Sequence, residues 1–159
     1  MNVRIEGENV ILRSVDFSDV DTVLLWENSN DEPLYGVYEE QFSREDVVQF
    51  VENQQRYSLA ENEQLRLMIC SHSGDRLGCV DLTEYDGRKA FVSILIFDLD
   101  NRCKGLGTEA LQLLISCAKS LGLRSLYAII LPRNLVSKSL FERAGFEGDG
   151  STLYCKKLR

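Results

Sequence analysis

The sequence predicts one α+β domain built on a mixed, mostly antiparallel sheet. The chain has 159 residues, of which 44% are apolar, and this fits a single domain with its own core. The middle of the chain carries three consecutive strand patterns separated by turn signals, which is typical of an antiparallel meander. From residue 105 onward the apolar period becomes helical, and a strand, a helix and a final strand follow. We therefore expect residues 1–159 to form one domain with about four helices.

The first third of the chain predicts a strand and two helices. Val10 to Leu12 is a short apolar run, and Asp16 then caps a helix. Asp19 completes a capping box only weakly, since Glu or Gln is preferred at that position. A second helix begins after Ser43. The apolar positions of the two helices are Val20, Val23, Leu24, Trp26, Val47, Phe50 and Val51.

The central region predicts a three-stranded meander. Strands at Leu65–Ile69 and Leu77–Thr83 are joined by a turn that contains His72, which we expect to be exposed and without a chemical role. Asp86-Gly87 is the second turn and a favoured hairpin signal. The segment from Ala90 to Phe97 is almost wholly apolar, as in a central strand that is buried on both faces.

The last third predicts a helix, a strand, a helix and a strand. Leu106 lies at the start of the longest helix, and Gly122 ends it in the left-handed conformation. A strand from Leu126 to Leu131 follows, and Asn134 caps the next helix. The remaining signals are Gly145 at the end of that helix and a strand from Thr152 to Lys156.

The charge and the cysteine content argue against several functions. The net charge of −7 disfavours binding to nucleic acid or to anionic lipid. The chain shows neither a signal peptide nor an apolar run of the roughly 20 residues that a membrane span needs. One histidine and cysteines without CxxC spacing predict a reducing, cytoplasmic setting and no metal site. The five cysteines are Cys70, Cys79, Cys103, Cys117 and Cys155.

The segment from Arg102 to Thr108 has the composition of an anion-binding site. It lies between the apolar central strand and the longest helix, whose first amides lack internal partners and whose dipole adds positive charge. Its glycines allow close backbone approach, while Arg102 and Lys104 add charge and Thr108 offers a hydroxyl. The segment therefore predicts a pyrophosphate site.

Two alternatives apply to the same glycines. Gly105 to Ala110 matches the G-x-G-x-x-G/A fingerprint of dinucleotide-binding folds. That fingerprint requires a parallel βαβ unit and an acidic residue about 20 positions later, whereas here antiparallel strands precede it and Leu131-Pro132-Arg133 follows. The other alternative is a glycine turn that binds nothing.

The Arg-x-x-Gly-x-Gly junction resembles that of the GNAT superfamily of N-acetyltransferases, as do Asn134-x-x-Ser137 and Ala144-Gly145-Phe146. The resemblance spans nearly the whole chain. Further segments resemble the branch that contains ribosomal-protein N-terminal acetyltransferases and spermidine N-acetyltransferases. These segments are Val10–Arg13, the Asp16 cap, Trp26-Glu27 and Gly78–Leu82.

The resemblance implies a sheet that splays open between the fourth and fifth predicted strands, with coenzyme A in the gap and acetyl-CoA as the acyl donor. It implies main-chain hydrogen bonds from the central strand to the pantetheine arm, pyrophosphate binding by the glycine segment, and contacts from the following helix. The residues so implied are Leu95, Ile96, Phe97, Arg102, Cys103, Lys104, Gly105, Leu106, Gly107, Thr108, Asn134, Ser137, Lys138 and Phe141.

The sequence departs from the family pattern at three positions. Phe91 stands where many relatives carry a Glu, and Phe141 stands where many carry a Tyr that acts as general acid. Cys103 replaces the usual Gly of the pyrophosphate segment. The catalytic residues are therefore left unassigned. Candidate substitutes are Asp81 or Glu84 as a base, and Tyr127 or Tyr154 as an acid.

The resemblance implies acetyl transfer to a primary amine such as a polyamine, a protein N-terminus or another small amine. The alternatives are a non-catalytic module that binds acetyl-CoA and a transferase with another acyl group or acceptor. The loop from Ser29 to Gln41 is rich in Asp, Glu and Tyr. Because such residues attract ammonium groups, a cationic acceptor is expected to enter there. The sequence leaves the oligomeric state open, a homodimer included.

Overall fold

A computed structural model describes residues 2–29, 41–97 and 105–159, and the structural statements below concern these residues. Residues 30–40 of the predicted acidic loop lie outside them, as do Arg102 to Lys104 of the predicted pyrophosphate segment. In the described part of the chain, none of the helices has the length and apolar character needed to cross a membrane.

The described residues form eight strands and five α-helices. The strands are β1 (Arg4–Glu6), β2 (Val10–Ser14), β3 (Leu65–Ser71), β4 (Arg76–Thr83), β5 (Lys89–Ile96), β6 (Ser125–Ile129), β7 (Glu147–Gly148) and β8 (Leu153–Lys157). The helices are α1 (Val20–Asn28), α2 (Arg44–Arg56), α3 (Leu59–Asn62), α4 (Leu106–Ser120) and α5 (Leu135–Arg143), with a 3-10 turn at Phe17–Asp19 before α1.

All eight strands form one sheet in the order β1-β2-β3-β4-β5-β6-β8-β7. Neighbouring strands are antiparallel except β5 and β6, which pair in parallel. The parallel pair arises because α4 carries the chain from the end of β5 back to the start of β6. The predicted α+β class and the mixed, mostly antiparallel sheet are confirmed.

The two faces of the sheet bury separate hydrophobic clusters. On one face, α4 packs Ala110, Leu111 and Leu114 into a cluster that includes alternate residues of β2 to β6, together with Phe141 of α5. On the other face, α1 and α2 cover only the side chains of β3 and β4, with Leu95 at the margin. Among the described residues, no helix covers the second face of β5 and β6.

This arrangement corrects the prediction that β5 is buried on both faces. Ala90, Val92 and Ile94 are buried on the α4 side, whereas Ser93 on the opposite face is exposed and its neighbours are half-buried. An apolar sequence therefore did not predict burial here, because burial depends on which face the helices cover. The short strands β1 and β7 and the one-turn helix α3 were not predicted.

The predicted helix signals are confirmed at four positions. Ser43 accepts a hydrogen bond from the main-chain N–H of Asp46 and caps α2. Asn134 caps α5. Gly122 and Gly145 end α4 and α5 at φ values of 85° and 95°.

Asp19 has a larger role than its weak capping signal indicated. Its carboxylate completes the capping box with Asp16 and is fully buried. It accepts hydrogen bonds from Arg13 at 2.8 Å and from Nε of Arg76 at 2.6 Å. Burial disfavours the charged carboxylate, but the hydrogen bonds from Arg13 and Arg76 outweigh burial and hold the pKa of Asp19 below its usual value. This ion pair network joins the start of α1 to β2 and β4.

His72 lies exposed in the β3–β4 turn, as predicted. Its Nε2 atom is 3.0 Å from the carbonyl oxygen of Gly7 and 3.1 Å from that of Glu8. The imidazole therefore links two hairpin turns. In the part of the chain that the structure describes, no three His, Cys, Asp or Glu side chains converge as metal ligands.

Candidate functional site

A gap in the sheet begins where the β5–β6 ladder ends. The two strands pair only from Lys89↔Ser125 to Phe91↔Tyr127. β5 continues to Ile96 and keeps its pairing with β4 over that length. Beyond Phe91, β5 has no strand partner on the β6 side among the described residues. The sheet thus splays between the two strands where the resemblance placed the opening.

The alternation of main-chain groups along β5 decides which of them face this gap. The N–H of Phe97 donates to the carbonyl of Leu77 at 2.9 Å. Phe97, and with it Leu95 two residues earlier, therefore turns its main-chain groups towards β4. Ile94 and Ile96 turn theirs towards the gap. Of the predicted pantetheine contacts, this geometry favours Ile96 and adds Ile94, whereas Leu95 and Phe97 face β4.

The N-terminal end of α4 lies beside the gap. Gly105 precedes the helix at a φ of 79°, in the left-handed region that favours glycine. A Cβ atom built on Gly107 would lie 3.6 Å from Cδ2 of Leu140 and 4.0 Å from Cδ1 of Ile94, so the first turn touches β5. Thr108 is half-buried in the same turn. Unpaired amides and the helix dipole make this end suited to an anion.

Glu109, in the first turn of α4, fixes that end of the helix to the β1–β2 turn. Its carboxylate accepts hydrogen bonds from the main-chain N–H groups of Asn9 at 3.0 Å and of Val10 at 2.6 Å. A Cβ atom on Gly7 would lie 3.1 Å from Oε2 of Glu109, so the turn and the helix are in close contact. The N-terminal end of α4 is thereby held in place by the residues at the start of β2.

α5 presents the remaining predicted contacts to different sides. Asn134 accepts a hydrogen bond from the main-chain N–H of Ser137 at 3.1 Å. Leu140 faces Gly107 of α4. Lys138 is about 160° from Leu140 around the helix and lines a pocket of about 350 Å³ between α5, the residues that follow β6 and the β7–β8 turn. Leu140 thus faces the start of α4, whereas the implied contact of Lys138 with the cofactor stays a prediction.

Phe141 lies in the core. Its side chain is 3% exposed, and its ring meets that of Phe146 edge-on with centroids 5.0 Å apart. A hydrocarbon ring in this position has no proton to donate. Its implied contact with the cofactor stays a prediction.

Nothing in the described part of the chain covers the face of β5 and β6 opposite α4 beside the gap, and we call it the open face. The rings of Phe91 and Tyr127 lie side by side with centroids 5.7 Å apart, and Nζ of Lys89 is 5.4 Å from the centre of the Tyr127 ring. Ile129 is 58% exposed, and Ser93 is exposed on the adjacent strand. The gap can therefore be reached from the side that α4 does not occupy.

Arg66 joins the elements that border this open face. Its Nε and Nη2 atoms donate to the carboxylate of Asp81 at 2.8 and 2.7 Å, and its Nη1 atom donates to Glu27 at 2.6 Å. Its guanidinium lies 5.0 Å from the centre of the Phe50 ring. Burial opposes its charge, but Asp81 and Glu27 outweigh burial and raise the pKa of Arg66. Beside this network, the Trp26 ring stacks on Phe97 at 4.6 Å.

The four candidate substitutes for the family's acid and base lie in different surroundings. Asp81 is paired with Arg66 and is not a free base. Glu84 is exposed beyond the end of β4, and Tyr154 is 8% exposed in the core. Tyr127 lies at the edge of the gap. None of the four is assigned a catalytic role.

Three residues of this site were missed by sequence reasoning. Ser93 interrupts an otherwise apolar strand, and that interruption was a usable signal. The pairing of Arg66 with Asp81 requires the β3–β4 register, which sequence alone did not supply. The contact of Glu109 with Asn9 joins residues too distant in the chain for any local pattern.

Comparison with known proteins agrees with this architecture. The family model described as acetyltransferase (GNAT) domain matches residues 9–147. Probable N-acetyltransferase YjcK of Bacillus subtilis (strain 168) is 30% identical over 92% of this chain and 84% of its own length.

Two solved structures share the fold at lower identity. Ribosomal-protein-S5-alanine acetyltransferase from Vibrio fischeri has a TM-score of 0.78 at 19% identity, covering 98% of this chain and 97% of that chain. Spermidine N-acetyltransferase from Vibrio cholerae, in complex with CoA and spermine, has a TM-score of 0.74 at 20% identity, covering 95% of this chain and 94% of that chain.

The splayed sheet, with a helix start at its gap, is the fold of an N-acetyltransferase. Because the family match spans most of the sequence, the chain belongs to the acetyltransferase (GNAT) domain family.

Proposed function

We propose that residues 1–159 act as one domain that transfers the acetyl group of acetyl-CoA to a primary amine. The observation that carries this proposal is the gap beside β5, which begins after the pair Phe91↔Tyr127. The start of α4 borders the gap on one side, and the opposite face is open. Two substrates can therefore meet in the gap from opposite sides of the sheet.

Three parts of acetyl-CoA have a counterpart in this arrangement: the pyrophosphate, the pantetheine arm and the thioester. The amides of the first turn of α4, with Arg102 and Lys104 preceding them in sequence, suit the pyrophosphate. The main-chain groups of Ile94 face the gap and suit the amide-bearing pantetheine arm. A main-chain N–H at this edge would also stabilise the oxyanion that forms at the thioester carbonyl.

The reaction requires a neutral amine. Its nitrogen forms a bond to the carbonyl carbon, the carbon–sulfur bond breaks, and the sulfur leaves with the electron pair. The proton lost by the amine balances the thiol that is formed. With an alkylamine pKa near 10.4, deprotonation at pH 7 costs about 4.6 kcal/mol. The acceptor classes that fit are polyamines, protein N-termini and other small amines, and the acidic composition of residues 29–41 favours a cationic one.

Ligand-dependent melting tests the cofactor. Acetyl-CoA at a hundredfold excess over its dissociation constant stabilises the native state by about 2.7 kcal/mol, so the melting temperature rises by several degrees. Gly107→Val removes this rise but leaves the protein folded, since a Cβ atom there meets Leu140 and Ile94 at ordinary contact distances. The cofactor assignment fails if wild-type protein shows neither a melting shift nor heat of binding.

A non-catalytic acetyl-CoA-binding module is the second candidate. The apolar Phe91 and Phe141, and the pairing of Asp81 with Arg66, favour it because they leave the described site without an evident base or acid. Thiol release with acetyl-CoA and a set of amines separates the two functions. Spermine, a basic peptide with an N-terminal alanine and an acidic peptide form that set. Turnover that is fastest with the acidic peptide contradicts a cationic acceptor.

A further inference from the structure

Ser93 occupies a distinctive place at the open edge of the gap. The parallel ladder ends at Phe91↔Tyr127, so Ser93 is the first residue beyond the ladder whose side chain lies on the open face of β5. It is exposed, whereas Phe91 and Leu95 on either side of it are half-buried. A small polar side chain is thus set between two apolar ones where the strands part.

The polar groups around Ser93 are already engaged. Asp81 lies directly opposite Ser93 in the β4–β5 register, within about 5.5 Å by the geometry of such pairs, but its carboxylate is bound by Arg66. Lys89 lies over the ring of Tyr127. Within the described residues, the Ser93 hydroxyl has no hydrogen-bond partner. It is therefore available to a molecule that enters from the open face.

The geometry points to Ser93 as the residue that positions the acceptor amine, an inference that rests on the proposed function. A neutral primary amine has two N–H bonds and one lone pair. A serine oxygen can accept a hydrogen bond from one N–H, which leaves the lone pair free to attack the thioester carbonyl in the gap. Phe91 and Tyr127 bound the same approach with apolar surface. The substrate class that fits is a primary amine.

The test separates acceptor binding from cofactor binding. Steady-state rates are measured with acetyl-CoA and either spermine or a peptide with an N-terminal alanine. Ser93→Ala raises the KM of the acceptor about fivefold, as the loss of one hydrogen bond to a neutral group predicts, and leaves the KM of acetyl-CoA unchanged. Ser93→Thr retains the hydroxyl and stays close to wild type. Ser116→Ala, on the exposed surface of α4, is the matched control and changes neither constant.

Each negative result of this experiment overturns a different part of the argument. Wild-type turnover with an unchanged acceptor KM in Ser93→Ala overturns the role of Ser93 while leaving the proposed function intact. An equal rise in the KM of acetyl-CoA also overturns it, since Ser93 then belongs to the cofactor side. If wild-type protein neither turns over nor binds either amine by calorimetry in the presence of coenzyme A, the proposed function fails and this inference fails with it.

Discussion

The carboxylate of Glu109 accepts a hydrogen bond from the main-chain N–H of Val10 at 2.6 Å, across 99 positions of the chain. The same carboxylate accepts from the N–H of Asn9. One side chain in the first turn of α4 thus satisfies two amides at the start of β2. The N-terminal end of α4, which lies beside the gap, is therefore held in position by residues near the N-terminus of the chain.

Glu109→Ala is expected to lower the free energy of unfolding by about 2 kcal/mol, because hydrogen bonds to a charged group are lost and two amides are left without their partner. Urea denaturation measures this loss. Glu52→Ala, at an exposed position of α2, is the control and shifts stability by less than about 0.5 kcal/mol. Faster hydrogen exchange at Asn9 and Val10 should accompany the Glu109 change. Equal effects of the two substitutions would contradict the anchoring role.

Gly105 and Gly122 flank α4 with φ values of 79° and 85°, and a Cβ atom on either would meet no atom within 4 Å. Alanine at either position is therefore strained without a clash and should cost about 1 kcal/mol of stability. Only Gly105→Ala should weaken acetyl-CoA binding, since Gly105 precedes the end of α4 that is proposed to bind the pyrophosphate. Thermal melts with and without acetyl-CoA compare the two variants. A weaker ligand response in Gly122→Ala as well would indicate a general effect of helix strain.

Asp19→Asn should destabilise the protein by about 3–5 kcal/mol, because it leaves Arg13 and Arg76 with an uncharged partner in a buried site. In wild-type protein the pKa of Asp19 is lowered from its unfolded value of 3.8. The stabilisation that the ionised Asp19 gives the folded protein is therefore fully present above about pH 4. It is lost as the pH falls through the pKa of Asp19 in the folded state. Urea denaturation at pH 7 and at pH 3 measures both effects.

Asp21→Asn is the matched control for Asp19. Asp21 also pairs with an arginine, Arg44, but its side chain is 82% exposed. The change should cost less than about 1 kcal/mol. If Asp19→Asn lowers the free energy of unfolding by no more than Asp21→Asn does, the ion pairs of Asp19 do not hold α1 in place.

Cys79 should resist alkylation in the folded protein. Burial raises the pKa of its thiol to about 12, and the nearby Arg66 opposes this only in part. Since the thiolate is the reactive form, iodoacetamide at pH 8 should label the half-buried Cys155 well before Cys79. Peptide mass spectrometry follows both sites. Comparable labelling rates in native protein would show that Cys79 is not enclosed as described.

Local signals predicted the helices well and the strand edges poorly. The caps Ser43 and Asn134 and the terminator Gly122 act within a few residues, so the sequence around each of them was sufficient. β1 and β7 are three and two residues long. Such strands exist only because a neighbouring strand supplies hydrogen bonds, and this cannot be seen in their own sequence.

In the candidate site, too, local features could be predicted from the sequence and contacts between distant strands could not. The glycines before α4 predicted a helix start with close backbone approach, because both are local properties, while the binding of an anion there stays a prediction. The pairing of Arg66 with Asp81 depends on a register that shifts between Ile69 and Cys70. Register shifts of this kind decide which side chains meet across strands, and the hydrophobic periodicity of the sequence does not reveal them.

The gap edge of β5 offers peptide groups rather than side chains to whatever enters it. Peptide groups are the same at every residue, so substitutions at Ile94 that preserve the strand leave this edge chemically unchanged. Recognition of this kind tolerates extensive sequence drift. It allows the open face, where side chains such as Ser93 and Tyr127 are displayed, to diversify independently of the edge that lies behind it.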